Sequence, residues 1–227
     1  MIELNNKHFK AAIQKALTEN PFIEDIVETG THLGTGSTQV WADTGLPVKT
    51  IEANYQFFKE AKKNLKDFNN VQLFHGTSLL VSEMENFVKE NEEYYNWANT
   101  SQDIGSDSWD PIGFYLAEVN GKGFDEDFME DHEKGAETSL NLQNLLPHLT
   151  NNNKNQIIFL DSSGGVGFLE YQSLMRMPTE FLEKEILFLD DIYHVKHHRS
   201  ALDLEERGYN FIRIEDDRSG YCVLRNT

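Results

Sequence analysis

The chain has 227 residues, 39% of them hydrophobic, and a formal net charge of −18. This length fits one α/β domain carrying an insertion, so residues 1–227 are interpreted as a single domain. The negative charge argues against nonspecific binding to nucleic acid or anionic membranes, because both require basic patches. No apolar run is long enough to span a membrane, and the N-terminal residues lack a signal-peptide profile. We therefore expect a cytoplasmic protein.

Helical and strand-like patterns alternate along most of the chain. A helix is predicted from Asn5 or Asn6 to about Thr18, with apolar side chains at fourfold spacing. A short helix is expected after Gly36, and a longer one extends to Phe68. Near-continuous apolar character predicts parallel strands that are buried on both faces. These strands are predicted at residues 23–28, 48–52, 71–75, 156–161 and 185–190.

The C-terminal segment has a different pattern. Residues 209–215 and 220–225 are strand-like and are joined by a polar turn, which predicts a closing antiparallel hairpin. The single cysteine, Cys222, excludes an internal disulfide framework and a multi-cysteine zinc site. Because it falls in the second strand of this hairpin, we expect Cys222 to be a buried, small apolar residue.

A long interval separates the third and fourth strands. Within it, residues 83–137 hold 16 acidic residues and three lysines, together with aromatic residues such as Tyr94, Trp97 and Phe114. A disordered segment would be poorer in aromatic residues, so we interpret 83–137 as a partly ordered insertion forming a lid or substrate wall near the site. The alternatives are a solvated acidic loop and a homodimer contact. A helix at 138–149 would then lead to the fourth strand.

A glycine-rich turn follows the first strand. The sequence Glu28-Thr29-Gly30-Thr31-His32-Leu33-Gly34-Thr35-Gly36-Ser37 ends an apolar run in an acid and leads into a helix. Such a junction brings backbone N–H groups close to a nucleotide-like ligand. A second acid, Glu52, ends the next strand, where a ribose diol would be held. The glycine spacing is neither G-x-G-x-x-G nor that of a phosphate-binding loop, and a glycine turn without a ligand is the alternative.

The pattern E-x-G-x-x-x-G-x-G resembles motif I of class I S-adenosylmethionine (SAM)-dependent methyltransferases. The order of strands and helices resembles the α/β fold of that family, a doubly wound, seven-stranded, mostly parallel Rossmann-like sheet with a C-terminal antiparallel hairpin. The resemblance is strongest at residues 26–54 and continues over 156–225. It implies SAM as the cofactor, with Glu52 on the ribose and the glycine turn beside the methionine part. The implied cofactor-binding residues are Glu28, Thr29, Gly30, Thr31, Gly34, Gly36, Ser37, Glu52, Ala53, Thr77, Ser78 and Asp161.

Carboxylates also follow the fourth and fifth strands. Open α/β sheets bind ligands at the carboxyl ends of their strands, so we expect Asp161, Asp190 and Asp191 to converge. Metal-dependent catechol-type O-methyltransferases are similar at these positions, and this resemblance implies Asp161, Asp190 and Asp191 as ligands of Mg²⁺ or Mn²⁺. The alternative is that Asp161 assists SAM or substrate binding while Asp190 or Asp191 caps the next helix. The basic residue that the catechol family places nearby is missing after Asp161.

The segment after the fifth strand is dense in titratable groups. His194 is the candidate general base, because an unperturbed imidazole titrates near neutrality; Lys196 is the second candidate, and Asp161 completes the catalytic set. Three carboxylates at close quarters require a cation, a basic neighbour such as Lys196 or His194, or a shared proton. We expect His197 and His198 to be surface residues or helix-dipole partners.

These patterns predict a SAM-dependent methyltransferase that acts on a hydroxyl of a small molecule, such as a sugar or natural-product intermediate. One alternative is a catalytically inactive binding or assembly protein that keeps the fold and uses the insertion as its partner surface. A second alternative is a nucleotide-dependent oxidoreductase, although the glycine spacing counts against it. No nucleic acid and no membrane is expected as a partner.

Overall fold

The computed structural model describes residues 7–106, 108–122, 142–150, 153–162, 164–183, 185–214 and 220–225. The predicted caps Asn5 and Asn6, the second half of the acidic insertion from residue 123 and the predicted helical residues 138–141 lie outside these ranges. No helix in the described ranges is both long enough and apolar enough to cross a membrane.

A single mixed sheet forms the centre of the described structure. Its strands are β1 Asp25–Thr29, β2 Val48–Glu52, β3 Val71–His75, β4 Gln156–Leu160, β5 Ile186–Asp190, β6 Phe211–Ile214 and β7 Tyr221–Arg225. Their order across the sheet is β3-β2-β1-β4-β5-β7-β6. Strands β1 to β5 pair in parallel, whereas β7 is antiparallel to β5 and β6. The predicted seven-stranded, doubly wound sheet with its C-terminal hairpin is confirmed.

Helices cover both faces of this sheet. Their bounds are α1 Lys7–Glu19, α2 Ser37–Ala42, α3 Tyr55–Asn64, α4 Val81–Glu90, α5 Glu92–Thr100, α6 Pro111–Val119, α7 Leu145–Leu149, α8 Gly167–Met175, α9 Thr179–Leu182 and α10 His198–Glu206. The side chain of Asn54 caps α3 by accepting the backbone N–H groups of Gln56 and Phe57. This helix ends before the predicted Phe68, because the following segment is rich in Asp and Asn, which favour turns.

The period-two alternation of the central strands sorts their apolar side chains into two cores. Ile26 of β1 and Phe159 of β4 face one core together with Phe9 of α1 and Trp41 of α2. Their neighbours along the strands face the other core, which contains α8 and α10 and includes the predicted buried Cys222. Strands β1, β4 and β5 are buried at every residue. Strand β3 is only partly buried, contrary to the prediction, because it lies at the sheet edge.

The first part of the acidic insertion is helical and has its own core. Tyr95 of α5 and Tyr115 of α6 are fully buried in a cluster that also contains Val166 and Val195, which belong to the segments after β4 and β5. The Tyr95 hydroxyl donates to the carbonyl of Gly165 at 2.6 Å. The helices α4 to α6 therefore share packing with the loops at the carboxyl edge of the sheet.

Candidate functional site

A cavity of about 340 Å³ lies at the carboxyl ends of the central strands. The order of the strands runs in opposite directions from β1 and from β4, and ligands of doubly wound sheets bind at such a switch point. The walls come from the glycine turn, the ends of β2 and β3, the loops after β4 and β5, and helices α4 and α6. Its volume lies within the range of sites for small molecules and cofactors.

The glycine turn passes unusually close to the loop after β4. Gly30 has a φ of +84°, and a Cβ atom there would lie 2.0 Å from the carbonyl oxygen of Asp161. Only glycine adopts this left-handed backbone conformation readily and also lacks the Cβ atom that would clash with Asp161. His32 is also left-handed, with a φ of 52°, which is uncommon outside glycine and stores strain at this turn.

Glu28 lies beneath the turn, outside the cavity lining. Its carboxylate is fully buried and accepts hydrogen bonds at 2.7 Å from the hydroxyls of Ser37, Thr38 and Thr50. Burial raises the pKa of Glu28, and these hydroxyl donors oppose the increase. Through these hydrogen bonds Glu28 links the glycine turn to α2 and β2, and its predicted role in cofactor binding stays a prediction.

Glu52 lines the cavity and joins the turn to the end of β2. The backbone N–H of His32 donates to one carboxylate oxygen at 2.7 Å, and the N–H of Asn54 donates to the other at 2.7 Å. Burial raises the pKa of Glu52 to about 7, although the backbone donors oppose the increase. Each oxygen keeps acceptor capacity beyond one hydrogen bond, so the carboxylate can also accept two hydroxyls of a ligand.

The structure brings most of the sequence-predicted cofactor residues to this cavity. Glu28 and Gly34 do not line it; a Cβ at Gly34 would instead crowd Leu65 and Ala61. The lining contains Thr29, Gly30, Thr31, Gly36, Ser37, Glu52, Ala53, Thr77, Ser78 and Asp161.

Three carboxylates and one ammonium group meet after β4 and β5, and Asp161, Asp191 and Lys196 of this cluster line the cavity. Oxygen atoms of Asp161, Asp190 and Asp191 lie within 4.8 Å of one another, so the predicted convergence occurs. The Nζ atom of Lys196 is 2.8 Å from Asp161 Oδ1, 2.8 Å from Asp191 Oδ2 and 3.5 Å from Asp190 Oδ2. Of the groups expected to balance the negative charge of these carboxylates, the structure contains the basic neighbour Lys196.

The charge states of this cluster follow from burial and proximity. Burial alone would lower the pKa of Lys196, but the three carboxylates raise it well above its ordinary value. Burial, followed by the charges of Asp161 and Asp191, raises the pKa of Asp190 well above its ordinary value. Protonated Asp190 can donate a hydrogen bond to Asp161. Lys196 is therefore a charge partner in this environment, which does not suit the base role predicted for it.

His194 also lines the cavity. The backbone N–H of Lys196 points to His194 Nδ1 at 3.3 Å, which makes Nδ1 an acceptor and assigns the proton of the neutral ring to Nε2. Residue Gly105, from the insertion, forms a bridge with His194, and a Cβ there would lie 2.9 Å from the imidazole. The insertion thus fixes the position of this ring.

The prediction that His197 is a surface residue is wrong. Its side chain is fully buried and its Nδ1 lies 3.1 Å from Ser200 Oγ. Burial, with the neighbouring charge of Lys196, lowers the pKa of His197 to about 3. His198 is half-buried at the start of α10.

Sequence reasoning missed several residues at the site. The carboxylate of Glu170, in α8, is fully buried and accepts from the Thr29 hydroxyl at 3.2 Å; no motif marks it. Glu118 and Lys122 were also missed, and they line the cavity with Phe114, an aromatic residue of the insertion, from α6 and its C-terminal end. Their spacing of four residues, which places side chains on one helix face, was the available signal.

A divalent metal does not fit the cluster as it stands. Oxygen ligands of such ions lie about 2.0–2.6 Å from the metal, whereas Asp161 and Asp191 already contact an ammonium group at hydrogen-bond distance. A metal could use these oxygens only by displacing Lys196.

The fold and the cavity together define an α/β protein with a ligand site at the switch point of a doubly wound sheet.

A comparison with family models finds no match, and neither does a comparison with curated proteins. Solved structures with a related course of the chain include an O-methyltransferase from Bacillus cereus in complex with SAH (13% identity, TM-score 0.48, covering 98% of this chain and 82% of that one). The O-methyltransferase TomG from Streptomyces achromogenes, involved in tomaymycin synthesis and in complex with SAM, has 12% identity and a TM-score of 0.48, covering 99% and 82%. Precorrin-6y C5,15-methyltransferase from Geobacter metallireducens has 13% identity and a TM-score of 0.44, covering 97% and 86%.

Proposed function

We propose that this protein binds SAM in the cavity and transfers its methyl group to a hydroxyl of a small molecule, such as a sugar or natural-product intermediate. The observation that carries the proposal is the Glu52 carboxylate, which lines the cavity beside the glycine turn at the switch point. This arrangement suits a ribose diol. The turn has the methyltransferase spacing and lacks the pattern of a phosphate-binding loop.

The acceptor would bind at the end formed by Asp161, Asp191 and His194, between the glycine turn and α6. When bound, SAM would supply an electrophilic methyl group on its sulfonium sulfur, with S-adenosylhomocysteine as the thioether leaving group once the acceptor oxygen bonds to the methyl carbon. The chain aligns the two reacting centres and manages one proton. In the assigned tautomer the Nε2 proton of His194 is buried, so this ring donates to the acceptor oxygen after a shift on binding, and Asp191 takes the released proton. This differs from the base role that the sequence suggests for His194.

A small acceptor agrees with the size of the site. Met84 of α4 and Phe114 of α6 are part of the lining of a cavity of about 340 Å³. The net charge of −18 disfavours nucleic acid as an acceptor.

Binding of S-adenosylhomocysteine, measured by calorimetry, tests the proposal. We expect binding to wild-type protein, and affinity about ten- to a hundredfold weaker in Glu52→Ala, because a charge-assisted acceptor for the ribose is removed. Glu60→Ala is the matched control, since Glu60 forms an exposed pair with Lys63 on the nearby α3.

Two outcomes would contradict the proposal. Unchanged affinity in Glu52→Ala would remove Glu52 from the site. Binding of NAD without binding of S-adenosylhomocysteine would favour an oxidoreductase. If binding is found, a screen of hydroxylated small molecules with methyl-tritiated SAM identifies the acceptor, and a failure to label any of them would favour a binding protein.

A further inference from the structure

The three carboxylates at the acceptor end of the cavity already have a cation. We propose that the Lys196 ammonium is the resident cation of Asp161, Asp190 and Asp191 and takes the position that a divalent metal would need. The site would then carry out its chemistry without a metal. This inference concerns the proposed methyl-transfer site, but its test requires neither SAM nor turnover.

The closest contacts of Lys196 use two of its three N–H donors. Its Nζ lies 2.8 Å from Asp161 Oδ1 and 2.8 Å from Asp191 Oδ2, and it forms a longer ion pair with Asp190 Oδ2 at 3.5 Å. A divalent ion needs the same oxygens at about 2.0–2.6 Å. Two cations cannot share this position, because their mutual repulsion adds to the geometric conflict.

The stem of Lys196 is confined, so the ammonium cannot easily leave. The residue is only 7% exposed. A Cβ atom on Gly167 would lie 2.7 Å from Lys196 Cγ and 2.6 Å from the Lys196 carbonyl oxygen, which shows how closely α8 packs on this stem. The preceding Val195 is held by the insertion, since its N–H donates to the Gly105 carbonyl at 3.1 Å. Displacement by a metal would therefore require local rearrangement.

The charge balance agrees with this assignment. The carboxylates raise the pKa of Lys196 well above its ordinary value, which keeps it charged near neutrality. The ammonium is paired most closely with Asp161 and Asp191, whereas Asp190 is the most distant of the three carboxylates.

The test measures Mn²⁺ binding by electron paramagnetic resonance and by the shift in melting temperature. We expect no stoichiometric binding and no shift for wild-type protein at millimolar Mn²⁺. Lys196→Ala leaves the carboxylates without their cation, so this variant should bind Mn²⁺ and melt at a higher temperature when Mn²⁺ is present, through linkage. The double variant Lys196→Ala with Asp161→Asn should lose this gain. Lys89→Ala, which removes an exposed lysine that pairs with Glu85 on α4 outside the cavity lining, should behave as wild type.

Two results would overturn the proposal. The first is stoichiometric Mn²⁺ binding to wild-type protein that Asp161→Asn abolishes. The second is a folded Lys196→Ala that gains no Mn²⁺ binding, because the cluster would then not be a latent metal site. If circular dichroism shows that Lys196→Ala does not fold, Lys196→Met keeps the packed stem and replaces it in the test.

Discussion

The backbone N–H of His32 donates to the carboxylate of Glu52 at 2.7 Å, and this bond joins the glycine turn to the end of β2. Glu52 therefore has two roles, since it holds the turn in its left-handed conformation and presents acceptors to the cavity. The buried carboxylate is costly to ionise, and burial raises its pKa to about 7. Its charge state near neutrality should consequently govern the binding of a ribose.

Ligand affinity should depend on pH through Glu52. The ionised carboxylate accepts two hydroxyls, whereas the protonated one loses acceptor capacity, so affinity should fall as the pH drops through about 7. We expect 5′-methylthioadenosine, which has no group titrating in this range, to bind up to about tenfold more weakly for each pH unit below that value. Calorimetry between pH 5.5 and 8.5 measures this dependence.

The control for this dependence is Glu52→Gln, which should bind weakly at every pH in the range. A wild-type affinity that stays constant over the same range, or a dependence that persists in Glu52→Gln, would show that another group controls binding.

Ala substitutions at two glycines would measure the cost of a left-handed backbone separately from the cost of a steric clash. Gly30 and Gly45 have similar φ values of +84° and +79°, but a Cβ would meet the Asp161 carbonyl oxygen at 2.0 Å at Gly30 and nothing within 4 Å at Gly45. Gly45→Ala should cost about 1–2 kcal/mol of unfolding free energy, from the left-handed backbone alone. Gly30→Ala should cost clearly more and also abolish binding of S-adenosylhomocysteine. Urea unfolding measures both, and equal costs would contradict the close approach of the turn to Asp161.

Most of the fold could be predicted from the sequence, because the strands have strong local signals. Short segments containing β-branched and aromatic residues predicted β2 and β3 with their observed bounds, and the acids that follow the fourth and fifth strands predicted the convergence of Asp161 with Asp191. The prediction of full burial for β3 was wrong, because a strand's position in the sheet is a property of the whole topology.

The details of the site depended on contacts that sequence cannot specify. Glu28 and Glu52 look alike in the sequence, as acids ending consecutive strands, yet three hydroxyls hold Glu28 beneath the turn while Glu52 lines the cavity. The sequence predicts Lys196 as a candidate base, whereas in the structure its Nζ lies between the carboxylates of Asp161 and Asp191. His197 was predicted to be exposed because its neighbours in the sequence are charged, but its side chain is fully buried at the start of α10.

Glu28 should stabilise the fold itself. Glu28→Ala leaves the hydroxyls of Ser37, Thr38 and Thr50 without their common acceptor in a buried place, and we expect a loss of about 2–4 kcal/mol in unfolding free energy. Glu93→Ala on the exposed face of α5 is the control and should stay within about 0.5 kcal/mol of wild type. A Glu28→Ala variant as stable as the control would mean that these hydroxyls find other partners.

His194 should act through the tautomer that carries its proton on Nε2. Because its Nδ1 accepts the backbone N–H of Lys196 at 3.3 Å, the neutral ring carries its proton on Nε2 and acts as a donor. A glutamine at this position also offers an N–H donor but cannot act as a base near neutrality. We therefore expect His194→Gln to keep kcat within about tenfold of wild type, and His194→Ala to lose about a hundredfold, measured with an acceptor identified by methyl-tritium transfer. If Gln is as impaired as Ala, the donor role is wrong and His194 is the base, so its ring must release the contact at Nδ1 during the reaction.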